Sequence, residues 1–258
     1  MSIIHALILG IVEGLTEFLP ISSTAHLIIT SKFLGLTQSG FTTFFEVFIQ
    51  SGAILAVVLL YFRYILAHQK YVRSILLSFI PTALVGLILH DTIKTSFFTS
   101  PVLIYSSLIV VGILFIIIEH LVRMKKFSLT KHVEDISLQE ALIFGLFQAL
   151  AIVPGVSRAG AVMVGMMVRG YKREEAAVYS FLLAVPTLFA ASALDLLKTD
   201  MSLLTNSSNA LALLIGFTVS FLTAYIVIKW FISYLQRNTL TIFGIYRIVL
   251  GATLILMH

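Results

Sequence analysis

Cysteine is absent from the sequence. Disulfides, thiolate nucleophiles and cysteine-ligated metal centres are therefore excluded. Charge is scarce as well: Asp, Glu, Lys and Arg make up 11% of the 258 residues, against about 25% in an average soluble domain. With 59% hydrophobic residues and a mean hydropathy of +1.05, neither a water-soluble globule nor a disordered chain fits. There is no long acidic or basic tail and no low-complexity tract. Met1–His5 carries no Lys or Arg ahead of the first apolar run, so a cleavable signal peptide is not expected.

What is present is a series of apolar stretches, at 2–19, 22–36, 43–62, 74–90, 101–119, 137–153, 156–168, 176–197, 209–230 and 239–257. Several reach the ~20 residues that a spanning helix needs, and others fall short. Two pairs are broken by proline: 2–19/22–36 at Pro20, and 137–153/156–168 at Pro154-Gly155. Broken helices at membrane depth are tolerated only where protein or a wet cavity covers the freed backbone groups. The expected elements are therefore two re-entrant hairpins, with ordinary kinked spanning helices as the alternative. The expected fold is an all-α integral membrane protein, a polytopic bundle with about six full spans plus the two hairpins.

The basic residues cluster in loops: Arg63, Lys70 and Arg73; Arg123, Lys125, Lys126 and Lys131; Arg169, Lys172 and Arg173; Lys229 and Arg237. Lys32, Lys94 and Lys198 lie in the intervening loops. Counting spans puts all four clusters on one face, which the positive-inside rule makes cytoplasmic. The net charge of +5 thus reads as a topology signal, and nucleic acid is not an expected partner. A shift of 135 residues aligns His5–Gly10 with Glu140–Gly145 and Ser22 with Ser157. The charge topology makes these halves, roughly 1–125 and 131–258 of a single membrane domain, inverted repeats, a plan that places a site near the midplane where they meet.

Residues 13–26 read Glu-Gly-Leu-Thr-Glu-Phe-Leu-Pro-Ile-Ser-Ser-Thr-Ala-His. Glu13 and Glu17 are four apart and share a helix face. An intramembrane carboxylate costs about 2.5–3.5 kcal/mol on the insertion scale. Two on one face need a cation, a partner arginine or water, unless the helix is interfacial. After Pro20, Ser22, Ser23 and Thr24 form an N-cap cluster, and a helix start with free N–H groups suits phosphate. A serine hydroxyl becomes a nucleophile when a base activates it, and His26, three residues after Ser23, can give or take a proton. Capping alone is the other reading of Ser22 and Thr24.

The second tip reads Pro154-Gly155-Val156-Ser157-Arg158-Ala159-Gly160. Gly155 lets a ligand approach the backbone, and the planar fork of Arg158 matches phosphate oxygens. An ion pair of Arg158 with Glu13 or Glu17 is the alternative. Glu46 and Gln50, four apart, are expected on a face that meets the same cavity. Arg247 is expected either to pair with a buried acid or to snorkel to the inner face. Glu174, Glu175 and Asp195, near segment ends, are expected to be solvated. Together the tips form a set for hydrolysing a phosphorylated lipid, with or without a metal ion. Inverted repeats with broken helices leave a second reading, a flippase or transporter of a phosphorylated lipid or a small anion.

On these residues the chain resembles the bacterial undecaprenyl-diphosphatase (bacitracin-resistance protein) family. Glu13–His26 looks like its first signature and Pro154–Arg158 like its second. Similarity continues through Phe45–Gln50, His90–Lys94, Ser180–Pro186 and Ile245–Arg247. The resemblance implies an inner-membrane, multi-pass hydrolase that removes one phosphate from undecaprenyl diphosphate, recycles the carrier for peptidoglycan synthesis and confers bacitracin resistance. Its site would open to the periplasmic side and need a divalent cation, Mg²⁺ or Ca²⁺. Carried over, Glu13 and Glu17 would bind metal or activate the attacking group. Ser23, His26 or a water would attack, and Ser157 and Arg158 would hold the diphosphate, with Ser22, Gly155 and Gln50 in the binding shell. The expected partners are the polyprenyl diphosphate and the bilayer, with a homodimer left open. One departure stands out: where the family's second signature continues Ser-Arg-Ser-Gly-x-Thr, this chain has Ala159 and Val162, so two phosphate hydrogen bonds are expected to be missing.

Overall fold

The computed structural model describes residues 1–37, 39–89, 100–198 and 207–257. Its regular elements are helices: α1 (Ile3–Thr16), α2 (Ser23–Phe33), α3 (Gly40–Ala67), α4 (Gln69–Ile88), α5 (Pro101–Arg123), α6 (Leu138–Ala149), α7 (Arg158–Val168), α8 (Arg173–Lys198), α9 (Ser207–Leu235) and α10 (Thr241–Leu256), with short 3-10 turns at Val133–Asp135 and Leu150–Ile152. The similarity segment His90–Lys94 lies outside the described residues.

The starts follow local chemistry. The hydroxyls of Ser2, Ser39 and Ser100 accept from the backbone N–H three residues on, and Ser137 with Glu140 forms a capping box. Five helices, α3, α4, α5, α8 and α9, are long and apolar enough to cross a membrane. The chain is a multi-pass helical membrane protein, and much of its outer surface, including Leu59, Phe62, Leu84, Ile226 and Trp230, is exposed and apolar. Of the six expected spans, the remaining one corresponds to α10. At 16 residues it is roughly 24 Å long, short of the ~30 Å hydrocarbon core.

The two broken pairs are hairpins of the same construction. Helices α2 and α7 have 11 residues each, about 16 Å or half a bilayer core. Each is preceded by a serine in the left-handed region, Ser22 and Ser157, both at φ 73°. A non-glycine residue there is strained and persists only when its surroundings hold it. The equivalence extends to packing. Helix α1 lies on α9 and α6 lies on α4; α3 packs on α9 and α8 on α4; α3 meets α8, and α5 meets α10. Each hairpin is thus seated on a helix from the other half of the chain. The α5–α10 crossing is close because Gly112 and Gly244 face each other: a Cβ on either would stand 2.7 Å from the other's carbonyl oxygen.

Three of the basic clusters meet at one end of the bundle. Lys70 Nζ donates to the Glu134 carbonyl at 3.1 Å. Lys131 and Arg169 both pair with Glu140, at 3.0 and 3.5 Å. Arg173 Nε donates to Glu119 at 2.8 Å, and Glu119 also accepts from the Leu240 N–H, beside the fourth cluster. Glu175, expected to be solvated, instead accepts from Val133 N and pairs with His132. These contacts tie the 131–137 segment to the starts of α6 and α8.

Glu140 is the hub of this polar cap, outside the long spans. Burial alone would push its carboxyl up, but hydrogen bonds from Lys131, Ser137 and Tyr171 outweigh that and hold it at about 2, against an ordinary 4.5. A depressed carboxyl stabilises the fold fully above its unfolded value and loses that contribution as pH falls from ~4.5 through ~2. Glu140→Gln is therefore expected to flatten the decline of thermal stability over this window in detergent. An acid limb identical to wild type would refute the assignment.

Candidate active site

The hairpin tips meet at a cavity of about 170 Å³ lined by Glu17, Ser22, Ser23, Thr24, Gly155, Ser157 and Arg158, with Gln50 from α3. Glu17 extends α1 by a residue, since its N–H still bonds the Glu13 carbonyl at 2.9 Å. Its carboxylate divides its two oxygens. Oε2 accepts from the Ser23 hydroxyl, and Oε1 accepts from Arg158 Nη2 at 3.1 Å. Arg158 Nη1 donates to the Ser180 carbonyl at 2.6 Å, and its Nε has no partner among the described residues. The structure thus contains the Arg158–Glu17 ion pair, and both members are in the cavity.

The cavity is also where α2 and α7 begin. The N-cap hydroxyl of Ser157 accepts from Gly160 N at 3.2 Å, whereas that of Ser22 makes no cap bond, contrary to the capping reading. Two helix N-termini with their free N–H groups and positive dipole ends therefore line one small space.

Glu13 and His26 do not line it. Glu13 is fully buried, and neither carboxylate oxygen has a hydrogen-bond partner among the described residues. The ring of His26 turns away. Nδ1 bonds the Ser22 carbonyl at 2.7 Å, and because that carbonyl can only accept, Nδ1 carries a proton. Nε2 bonds the Tyr246 hydroxyl at 2.7 Å, with the two rings stacked. Both ring nitrogens are thus engaged. Glu46 is bonded to Ser31, so it and Gln50 serve different places despite sharing a helix face.

The substitutions in the second signature fall away from the cavity. Ala159 and Val162 are both fully buried in helix packing, and neither is a lining residue. The structure gives no support to two missing phosphate contacts.

Arg247 corrects a further expectation, since it neither pairs with an acid nor snorkels. It is wholly buried and donates to five backbone carbonyls: Pro20 of the first tip at 3.0 Å, Gly155 and, at 3.2 Å, Val156 of the second, and Leu108 and Ser107 of α5 at 3.3 and 3.4 Å.

The motif reading missed Thr82, Gln148 and Thr187, which line the far wall. Gln148 is 1% exposed. Its Nε2 donates to Thr82 at 2.9 Å and to Thr187 at 3.1 Å. Two signals pointed there: the 135-residue offset sets Gln148 opposite Glu13, and each threonine follows a proline, Pro81 or Pro186, inside a long helix.

A divalent cation would find two carboxylates, Glu13 and Glu17, and no cluster of three or more His, Asp or Glu among the described residues. The unpaired oxygens of Glu13 suit such an ion. Mg²⁺ characteristically takes one or two carboxylates and fills its shell with water and phosphate oxygens, so the residues fit.

The chain matches the family described as "Bacitracin resistance protein BacA" over residues 6–253. It is 44% identical over 247 residues to a protein of Aquifex aeolicus (strain VF5) named "Undecaprenyl-diphosphatase", covering 96% of this chain and 95% of that one. Proteins of the same name from Persephonella marina (strain DSM 14350 / EX-H1) and Sulfurovum sp. (strain NBC37-1) are 45% and 42% identical, over 97% and 100% of each chain.

Arg247→Met is expected to leave the tip carbonyls unpaired in a dry interior, at about 1–3 kcal/mol for each, and so to lower the thermal midpoint in detergent sharply. Arg247→Lys, with three donors instead of five, should fall between. A methionine variant as stable as wild type would show that the tips do not depend on this residue.

Proposed function

The chain belongs to the bacitracin resistance protein family, and we propose that it hydrolyses undecaprenyl diphosphate to undecaprenyl phosphate and inorganic phosphate in the cavity between its hairpin tips. The observation that carries this reading is the Ser23–Glu17–Arg158 chain of hydrogen bonds, set where two helices begin. The reading makes the chain a recycler of the lipid carrier for peptidoglycan synthesis, and bacitracin resistance follows from consuming the diphosphate.

The chemistry runs through groups already in contact. The diphosphate enters against the N-termini of α2 and α7 and draws the Arg158 guanidinium onto its oxygens, which frees Glu17 from its ion pair. Ser23 Oγ attacks the terminal phosphorus while its proton passes to Glu17. The bond from phosphorus to the bridging oxygen breaks, and undecaprenyl phosphate leaves with the electron pair. Water then displaces Ser23 from phosphorus, and Glu17 returns the proton to Oγ. His26, held between Ser22 and Tyr246, braces the start of α2. Glu13 and Glu17 would hold the divalent cation, which supplies charge neutralisation and polarises a phosphoryl oxygen when bound.

A cavity of about 170 Å³ takes a head group, and the polyprenyl tail stays in lipid. The basic end of the bundle faces the cytoplasm of a bacterial inner membrane. Thr82 and Thr187 stand 13 and 14 residues into helices that begin at that end, about 20 Å along them. This depth, well past the start of both helices, supports the reading of a site that opens toward the periplasmic side. The two halves, roughly 1–125 and 131–258, act as inverted repeats of one membrane domain.

The test is phosphate release from a polyprenyl diphosphate by purified protein, with Mg²⁺ or Ca²⁺ and with EDTA. Wild type should release phosphate in a cation-dependent way. Ser23→Ala, Glu17→Gln and Arg158→Met should each lose at least roughly a hundredfold in rate, on the scale of a removed nucleophile, base or charge clamp. A well-folded wild type that releases none would overturn the reading, and lipid movement without cleavage would then be measured instead. An active Ser23→Ala would remove Ser23 as the nucleophile.

A further inference from the structure

We propose that Gln148 is the positioning residue for the water that hydrolyses the phosphoryl group from Ser23. The inference rests on the reading of Ser23 as the nucleophile and adds a residue to that site.

Hydrogen-bond accounting fixes the orientation of the Gln148 amide. The Thr82 hydroxyl donates to the Gly145 carbonyl at 3.2 Å, and the Thr187 hydroxyl donates to the Leu183 carbonyl at 2.8 Å. A hydroxyl has one proton to give, so toward Gln148 both threonines can only accept. They take the two amide protons, at 2.9 and 3.1 Å. The side chain cannot flip without setting its oxygen against two acceptors. Oε1 is thereby held on the other side, buried and with no hydrogen-bond partner among the described residues.

An unpaired buried acceptor is costly, about 1–3 kcal/mol, and this one belongs to a residue that lines the same cavity as Ser23 and Arg158. An amide oxygen has no proton to offer. It repels phosphoryl oxygens and pairs only with a hydrogen-bond donor. The donor that the reaction brings to this cavity is water. Held through one O–H on Oε1, the water presents its oxygen to phosphorus. The new bond joins the water oxygen to phosphorus as the bond from phosphorus to Ser23 Oγ breaks. Glu17 returns its proton to Oγ, and both water hydrogens leave on the inorganic phosphate. The 135-residue offset places Glu13 at the equivalent point of the first hairpin. There the acceptor is a charged carboxylate suited to a cation, and here it is neutral and suited to water.

The experiment is single-turnover and steady-state hydrolysis of a polyprenyl diphosphate by the full chain, comparing wild type with Gln148→Leu, which keeps the bulk and removes the acceptor. In Gln148→Leu, kcat should fall roughly 10- to 100-fold, the scale of a misplaced reactant, and KM should fall with it, so that kcat/KM stays within about threefold because only the second step is slowed. The lipid monophosphate should still be released in a burst equal to the enzyme, and mass spectrometry should find phosphate accumulated on Ser23. A merely structural role would lower thermal stability and slow both steps together. An unchanged kcat, or a fall in kcat with no phosphoryl-Ser23, overturns the proposal while leaving the hydrolase reading intact. An inactive wild type overturns that reading itself. Should Gln148→Leu not fold, Thr187→Val, which unpins the amide and keeps its oxygen, is read by the same accumulation on Ser23.

Discussion

A helix broken inside a membrane exposes carbonyl groups that water cannot reach, and in this protein one guanidinium takes up the carbonyls that matter. Arg247 binds Pro20 in the first hairpin, Gly155 and Val156 in the second, and two carbonyls of α5. Every one of its bonds ends on backbone. It can therefore fix the path of both tips whatever side chains they carry, and it leaves those side chains free to face the cavity. The left-handed turns at Ser22 and Ser157 are affordable because the chain on either side of them is held in this way.

Charge around the hairpins is distributed with the same economy of partners. Arg158 and Glu17 neutralise one another inside the cavity, while Arg247 has only carbonyls and Glu13 has no hydrogen-bond partner among the described residues. The pair in the cavity is open to a ligand's charge; the guanidinium behind it is not, because all three of its nitrogens are bonded to backbone carbonyls. Helix termini supply the remaining positive field. An anion reaching the tips thus meets the Arg158 guanidinium and two helix N-termini. The wall opposite is neutral: Gln148, Thr82 and Thr187 bond one another, and backbone carbonyls take the protons of both threonines.

Most of the fold and the first contacts of the site were legible in the sequence, for physical reasons. Apolar length sets spans, and Pro20 and Pro154 interrupt them. Glu17, Ser23 and Arg158 stood out because charge and hydroxyl clusters are expensive inside lipid. What stayed hidden depends on the third dimension. Gln148, Thr82 and Thr187 sit singly on three helices, and a lone amide or hydroxyl costs too little to mark itself. His26 reads as part of the motif, but the partner that turns it outward, Tyr246, is 220 residues away. Arg247 was visible as a buried cation, yet nothing in the linear order says that its partners are carbonyls. Ala159 and Val162 looked like losses to the site because position in a motif does not reveal which way a side chain points from α7.

The interleaving of the halves bears on biogenesis. Helix α1 rests on α9, α6 rests on α4, and the residue that clasps both tips is carried by α10, which the ribosome makes after every other helix described. A nascent chain that stops short of residue 247 already contains Ser23, Glu17 and Arg158, but its first hairpin has no seat until α9 arrives and no clasp until α10 does. The clasp on the two tips is therefore complete only once the last helix described has packed against them.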